Sequence, residues 1–152
     1  MFTIKEDDLS AEQSRSLLAL HLAGMHANSP VGSVFALDLA GLQLPEVTVW
    51  SAWYHDKIAS IGALKMLDAE NAEIKSMRTH PDFLRKGAGS AILERIVATA
   101  QARAVRRLSL ETGSGDPFEP ALALYRRRGF INGGPFSDYE ESTFSQFLHL
   151  DL

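Results

Sequence analysis

At 152 residues, with a formal net charge of -4 and 45% hydrophobic residues, the chain has the size of one globular domain and can bury roughly two thirds of its unfolded surface. It has no cysteine, which excludes disulfides, thiolate metal sites and a cysteine nucleophile and fits a reducing compartment. The acidic balance argues against a nucleic-acid partner, and no apolar run nears the roughly 20 residues of a membrane span. Charges at Lys5 to Asp8 fall where a signal peptide needs an apolar core, so a cytoplasmic protein with one domain over residues 1–152 is expected.

In chain order, Phe2 to Ile4 is a short strand candidate. Ser10 is placed to cap a helix whose apolar stripe (Leu17, Leu18, Leu20, Leu22, Met25) stops near Asn28-Ser29-Pro30. Val34 to Leu42 fits no single pattern. Val47 to Tyr54, rich in branched and aromatic residues, predicts a strand; His55 to Lys57 turns it and Ile58 to Leu67 returns. Asp68 to Asn71 turns again, and Ala72 to Thr79 completes an antiparallel meander. From Gly87 to 105 the apolar period becomes helical, with Ile92, Leu93, Ile96, Val97, Ala100 and Ala104 on one side. Arg107 to Glu111 predicts a strand. A second helix begins near Phe118, with Pro120 in its first turn, and closes at Gly129; strands at Phe130 to Asn132 and Phe144 to Leu150 follow.

A strand, a helix and a strand in succession form a right-handed crossover, so 72–79 and 107–111 are expected to be parallel neighbours in an otherwise antiparallel sheet. The expected class is mixed α/β. Of the basic clusters, those at Arg103, Arg106 and Arg107 and at Arg126-Arg127-Arg128 close helices, where cations favour the dipole; Arg85-Lys86 instead precedes one. The five histidines are dispersed with no i,i+4 pair, so no metal site is expected.

The most informative segment is Met77 to Leu93. There a strand ends at His80-Pro81 and a Gly87-Ala88-Gly89 loop opens directly into a helix. The first amides of a helix lack internal partners and carry the positive end of its dipole, which suits a phosphate. A dinucleotide fingerprint needs a third glycine where Ile92 stands, and a Walker loop needs its lysine after the last glycine, whereas Lys86 comes before it.

The remaining design resembles the GNAT acyltransferases, whose loop after the fourth strand wraps the pyrophosphate of coenzyme A. The resemblance maps that loop onto Leu84-Arg85-Lys86-Gly87-Ala88-Gly89, followed by Ser90. The family's second landmark, an Ala-x-x-Leu-Tyr helix ending in Gly-Phe, stands at Ala121, Leu124, Tyr125, Gly129 and Phe130. Two departures accompany it: Leu84 replaces the usual Arg or Gln, and Phe118 stands where many relatives have Asn. The resemblance implies a GNAT fold, a mostly antiparallel sheet flanked by helices with splayed, parallel fourth and fifth strands. It further implies a direct transfer from acetyl-CoA to an amine, without a metal.

The same resemblance implies residue roles. Glu73 matches the glutamate that some relatives use as general base, directly or through water, with Glu111 or no protein base as alternatives. Tyr125 would act on the coenzyme sulfur. Backbone groups of Met77 and Thr79 would meet the coenzyme beside a β-bulge, together with Arg78, Leu84 to Ser90 and Phe118. The Arg78 side chain would face the acceptor, for a substrate carboxylate or a structural ion pair. Acceptor choice would fall to His21 to Phe35 and Gly133 to Ser145, with His26, Arg78, Glu111 and Tyr139 as candidates. The expected function is acetylation of a small amine or amino acid. Protein lysine or N-terminal acetylation, and a non-catalytic acyl-CoA-binding module, are the alternatives. A homodimer is compatible with the sequence; a nucleic-acid or membrane partner is not expected.

Overall fold

The computed structural model describes residues 1–152. Strand β1 (Thr3–Glu6) leads into helix α1 (Glu12–Asn28) and a short α2 (Leu39–Leu42). The meander follows as β2 (Val47–Tyr54), β3 (Lys57–Met66) and β4 (Asn71–Thr79). Helix α3 (Ala88–Ala102), β5 (Arg107–Thr112), helix α4 (Glu119–Arg128), β6 (Ile131–Gly133) and β7 (Gln146–Asp151) complete the chain. All seven strands share one sheet, ordered β1-β2-β3-β4-β5-β7-β6. Only β4 and β5 are parallel, as the crossover predicts. No helix is long and apolar enough to cross a membrane.

Three local expectations change. Ser10 does not cap α1, because Asp8 takes both its amide (3.0 Å) and its hydroxyl (2.6 Å); the N-cap is Ala11, without a side-chain bond. Leu20, counted in the apolar stripe, is exposed, whereas the buried face of α1 is Ser14, Leu17, Leu18 and His21. Helix α3 stops at Ala102 rather than 105: Ala104 turns left-handed (φ 60°), and the Val105 amide reaches back to the Ala100 carbonyl at 3.0 Å. The unassigned stretch after Val34 holds α2, whose start is capped by Asp38 accepting from the Gly41 amide at 2.9 Å.

The sheet separates two cores. One gathers Ile92, Leu93, Ile96 and Val97 of α3, Leu122 and Tyr125 of α4, and Ala72, Ile74, Leu108 and Leu110 of the central strands. The other joins Leu17 and Leu18 of α1 and Leu42 of α2 to Val49, Ile58, Ile61 and Ala63. Because strand side chains alternate, Glu73 and Lys75 face away from Ala72 and Ile74, on the α1 side.

Two interruptions of the ladder position the site. Pairing of β4 with β5 covers only Asn71 to Glu73, opposite Arg107 to Ser109, and the two strands run on without each other. On its other edge β4 carries a bulge: Ile61 faces Arg78 and Ala63 faces Lys75, so Ser76 and Met77 together oppose Gly62. Ser76 takes the left-handed conformation there (φ 57°). Gly62 makes room for the bulge, since a Cβ at that position would collide with Met77 Sδ and lie 2.6 Å from Ile92 Cγ2.

Candidate active site

On the α1 side of the splayed strands, the Glu73 carboxylate is buried, with 3% of its surface exposed. Its Oε2 accepts from the Tyr139 hydroxyl at 2.5 Å and from Lys75 Nζ at 3.3 Å. Lys75 Nζ also donates to Tyr139 Oη (2.9 Å) and to the Phe35 carbonyl (3.0 Å). Glu111, on the neighbouring strand, feels both charges; burial is the main cause that pushes its carboxyl above the usual range, while a hydrogen bond from Ser145 and the Lys75 charge oppose it. Two carboxyls, one amine and one phenol are therefore brought together, with Glu73 and Lys75 largely closed to water and Glu111 and Tyr139 partly so.

Tyr139 is delivered by the long loop between β6 and β7. Its ring packs against Phe35 (5.1 Å between centroids), Phe136 (5.0 Å) and Phe147 (5.8 Å). The loop is pinned at one end by His149 Nε2 on the Gly134 carbonyl (2.8 Å) and at the other by Ser114 Oγ on the Phe144 carbonyl (2.7 Å). Burial, with the Glu73 charge next, pushes the Tyr139 phenol far up, so it stays a donor to Glu73 at neutral pH.

Farther along β4, Arg78 reaches under α1. Its Nε donates to His21 Nδ1 at 3.1 Å, and its Nη2 lies 3.4 Å from the His21 carbonyl. Gly24 supplies the space, as a Cβ there would sit 2.8 Å from Arg78 Nη2. Burial, with Arg78 and Lys75 adding their charge, lowers the His21 imidazole to about 4, so it is neutral at pH 7 and its proton sits on Nε2. No ion pair of the fold engages Arg78.

On the opposite face lies the candidate coenzyme side. Gly87 caps α3 in the left-handed conformation (φ 87°) without a side-chain bond, and the first intrahelical bond runs from the Ala91 amide to the Gly87 carbonyl. The amides of Ala88, Gly89 and Ser90 thus have no helical acceptor, as an anion cradle requires. Leu84, Arg85, Lys86, Gly87 and Ser90 are exposed and Ala88 is buried. Gly89 lies close under Thr79, whose Oγ1 would be 3.2 Å from a Cβ. A coenzyme diphosphate fits this open, cationic turn. Tyr125 lies in the α3/α4 core, its ring edge-on to Phe130 at 5.7 Å, and burial raises its phenol far above the ordinary range.

The structure thus brings Glu73, Glu111 and Tyr139 together and sets Arg78 nearby against α1. It does not bring His26 to them: that side chain is exposed in the last turn of α1, and His21 makes the buried contact. The Phe118 ring packs edge-on to Phe144 at 5.5 Å and beside Gly113, and offers no hydrogen bond. Sequence reasoning missed Lys75 and did not single out Phe35, the last residue of the segment expected to govern acceptor choice. Lys75 was within reach, since two residues after Glu73 on a strand is the same face; Phe35 had no local signal.

The description "Acetyltransferase (GNAT) family" matches residues 15–130. Over all 152 residues the chain is 47% identical to "Uncharacterized N-acetyltransferase YedL" of Escherichia coli, covering 96% of that protein. Among solved structures it resembles one from Klebsiella pneumoniae described as an acyl-CoA N-acyltransferase (TM-score 0.84, 25% identity, 100% of this chain and 98% of the other). It also resembles a GNAT family acetyltransferase of Elizabethkingia anophelis with acetyl-CoA bound (TM-score 0.73, 20% identity, 99% and 98%). A splayed parallel pair, an uncapped helix start beside it and a family match across 15–130 agree: the chain belongs to the GNAT acetyltransferase family.

Proposed function

We propose that the protein transfers the acetyl group of acetyl-CoA directly to the primary amine of a small molecule or amino acid. The observation that carries this is the buried Glu73, held by Lys75 and Tyr139 at the point where β4 and β5 part. An alkyl amine with a pKa of about 10.4 is almost wholly protonated at pH 7, a deficit of about 4–5 kcal/mol. Glu73 takes up that proton, directly or through one water, and the amine lone pair attacks the thioester carbon as the carbon–sulfur bond breaks; the second proton, shed by the new amide nitrogen, balances the one that the departing sulfur gains. Tyr125 serves the departing sulfur. Because burial makes its phenol a weaker acid, its main effect is a hydrogen bond to sulfur, with proton delivery completing the step. The amides at the start of α3 and the charges of Arg85 and Lys86 hold the diphosphate, while Met77 to Thr79 lead from it toward the thioester.

Two features favour a small acceptor carrying a carboxylate. Arg78 is a cation without an acidic partner, facing the acceptor side beneath α1. Tyr139 and Phe35 roof the pocket over Glu73, which suits a compact molecule better than an extended peptide. The bound acetyl-CoA of the Elizabethkingia neighbour supports the donor assignment.

Thermal shift with acetyl-CoA followed by thiol release across a panel of amines and amino acids tests the reading. Wild type is expected to bind and to turn over at least one free amine. Glu73→Gln is expected to lower kcat/KM about 10²-fold and to abolish its acidic limb. An unchanged pH profile would hand the base to Glu111. Turnover of peptides alone would make the enzyme a protein modifier, and binding without any transfer would leave an acyl-CoA-binding module.

A further inference from the structure

Lys75 lies two residues beyond the proposed base, on the same face of β4. A charged lysine has three N–H groups to give and no lone pair to accept with. Lys75 gives one to Glu73 Oε2 (3.3 Å), one to the Tyr139 hydroxyl (2.9 Å) and one to the Phe35 carbonyl (3.0 Å). Its side chain is 9% exposed. With every donor spent inside the fold, Lys75 has none left for a substrate. Its three partners belong to three separate stretches: β4, the segment between α1 and α2, and the loop between β6 and β7. One side chain thus fastens both remote stretches to the strand that carries Glu73.

The same bonds divide the two oxygens of Glu73. Oε2 accepts from Lys75 and also from the Tyr139 hydroxyl, which gives its one hydrogen to the carboxylate and takes one from Lys75. Oε1 accepts from nothing in the fold. It is also not among the side-chain atoms that are both partnerless and shut off from solvent, which are Ser29 Oγ and Ser76 Oγ alone. A water can therefore touch Oε1. Glu111, the neighbouring carboxyl on β5, makes none of these bonds, although its charge acts on Tyr139. An oxygen that already holds two donors is a poor site for a further proton, and the open oxygen is the one that can take it.

We propose that Lys75, together with Tyr139, is a positioning residue for the transfer. By occupying Oε2 the pair leaves Oε1 as the oxygen that takes the amine proton, directly or through the water that reaches it, and through Phe35 and Tyr139 it ties the walls of the acceptor site to the base. This rests on the reading of Glu73 as base given above. Neither residue takes part in bond making, so their effect lies in where the carboxylate is held. A displacement of about 1 Å at such a group can cost up to about 100-fold in rate.

The test measures kcat/KM for a free amine, and KM for acetyl-CoA, in Lys75→Met and Tyr139→Phe, each alone and combined with Glu73→Gln. Lys75→Met keeps most of the length and loses the charge; Tyr139→Phe keeps the ring against Phe35, Phe136 and Phe147 and loses only the hydroxyl. Expected in the wild-type background is a fall in kcat/KM of roughly 10- to 100-fold for Lys75→Met and a smaller one for Tyr139→Phe, with the acetyl-CoA KM unchanged. Added to Glu73→Gln, each should cost less than about twofold, because the base they place is gone. The deficit should also shrink as the pH rises toward about 10, where the amine loses its proton to solvent. A residue that merely supports the fold would cost the same in both backgrounds and at every pH, and that result overturns the proposal, as does a wild-type rate in both variants. If Lys75→Met lacks a cooperative thermal transition, Tyr139→Phe carries the same comparison. Should Glu73→Gln itself match wild type in rate and pH profile, the assignment of the base fails, a result distinct from failure of the positioning role.

Discussion

His21 illustrates how one buried side chain ties stability to pH. Its imidazole is 7% exposed, accepts from Arg78 Nε and titrates at about 4, against about 6.5 in an unfolded chain. Between those values the unfolded chain binds the proton and the folded protein does not, so acid favours unfolding. The contribution is fully present above pH 6.5 and is lost as the pH falls through 4, at most ~3 kcal/mol. His21→Asn is expected to flatten the dependence of urea-unfolding free energy on pH between 6.5 and 4, while the slope in wild type stays positive. The same contact fixes Arg78, so the variant should also raise KM for a carboxylate-bearing acceptor more than it lowers kcat. Glu73 and Arg78 could be singled out from the sequence through the resemblance to the GNAT family, which places both on the fourth strand ahead of the Gly87-Ala88-Gly89 loop. Their partners could not: Tyr139 is 66 residues from Glu73, and His21 is 57 from Arg78.

Among the elements, β4 and the start of α3 act as one device. The strand pairs with β5 for three positions only, bulges opposite Gly62, and then turns into a helix whose first amides are free. Gly87 makes the turn possible at φ 87°, and nothing lies within 4 Å of where its Cβ would be. The cost of Gly87→Ala is therefore conformational rather than steric, about 1–2 kcal/mol for an L residue held left-handed. Expected is a modest fall in the chemical-denaturation midpoint and a several-fold rise in KM for acetyl-CoA, with KM for the amine unchanged; an unchanged acetyl-CoA KM would count against the cradle. The bends themselves were only partly legible. Gly87 announced the loop, as Gly129 announced the end of α4 (φ 108°), but the left-handed residues of the bulge and of the α3 terminus are Ser76 and Ala104, types that carry no such signal.

For the whole molecule, the sheet is a partition. Its α3/α4 side buries the larger core, behind the proposed coenzyme cradle, and its α1 side buries a smaller one, beside the proposed acceptor site. Leu122 is fully buried in the larger core, with no exposed surface. Leu122→Ala should cost about 2–5 kcal/mol, read as a lower urea midpoint at unchanged m-value. A loss below 1 kcal/mol would mean that α4 is loosely seated.

Sequence by itself determined the parts whose physics is local. Alternation and helical period located the meander, α3 and α4, Gly87 and Gly129 marked turns, and the strand-helix-strand order required β4 and β5 to be parallel. Tertiary structure alone decided where β7 goes, between β5 and β6, and so which loop roofs Glu73. It also decided that His21 rather than His26 lies against Arg78, and that the hydroxyl of Ser76 is left without a partner. Those outcomes depend on which distant surfaces bury one another, a competition among burial, hydrogen bonding and charge that is settled only when the whole chain closes on itself.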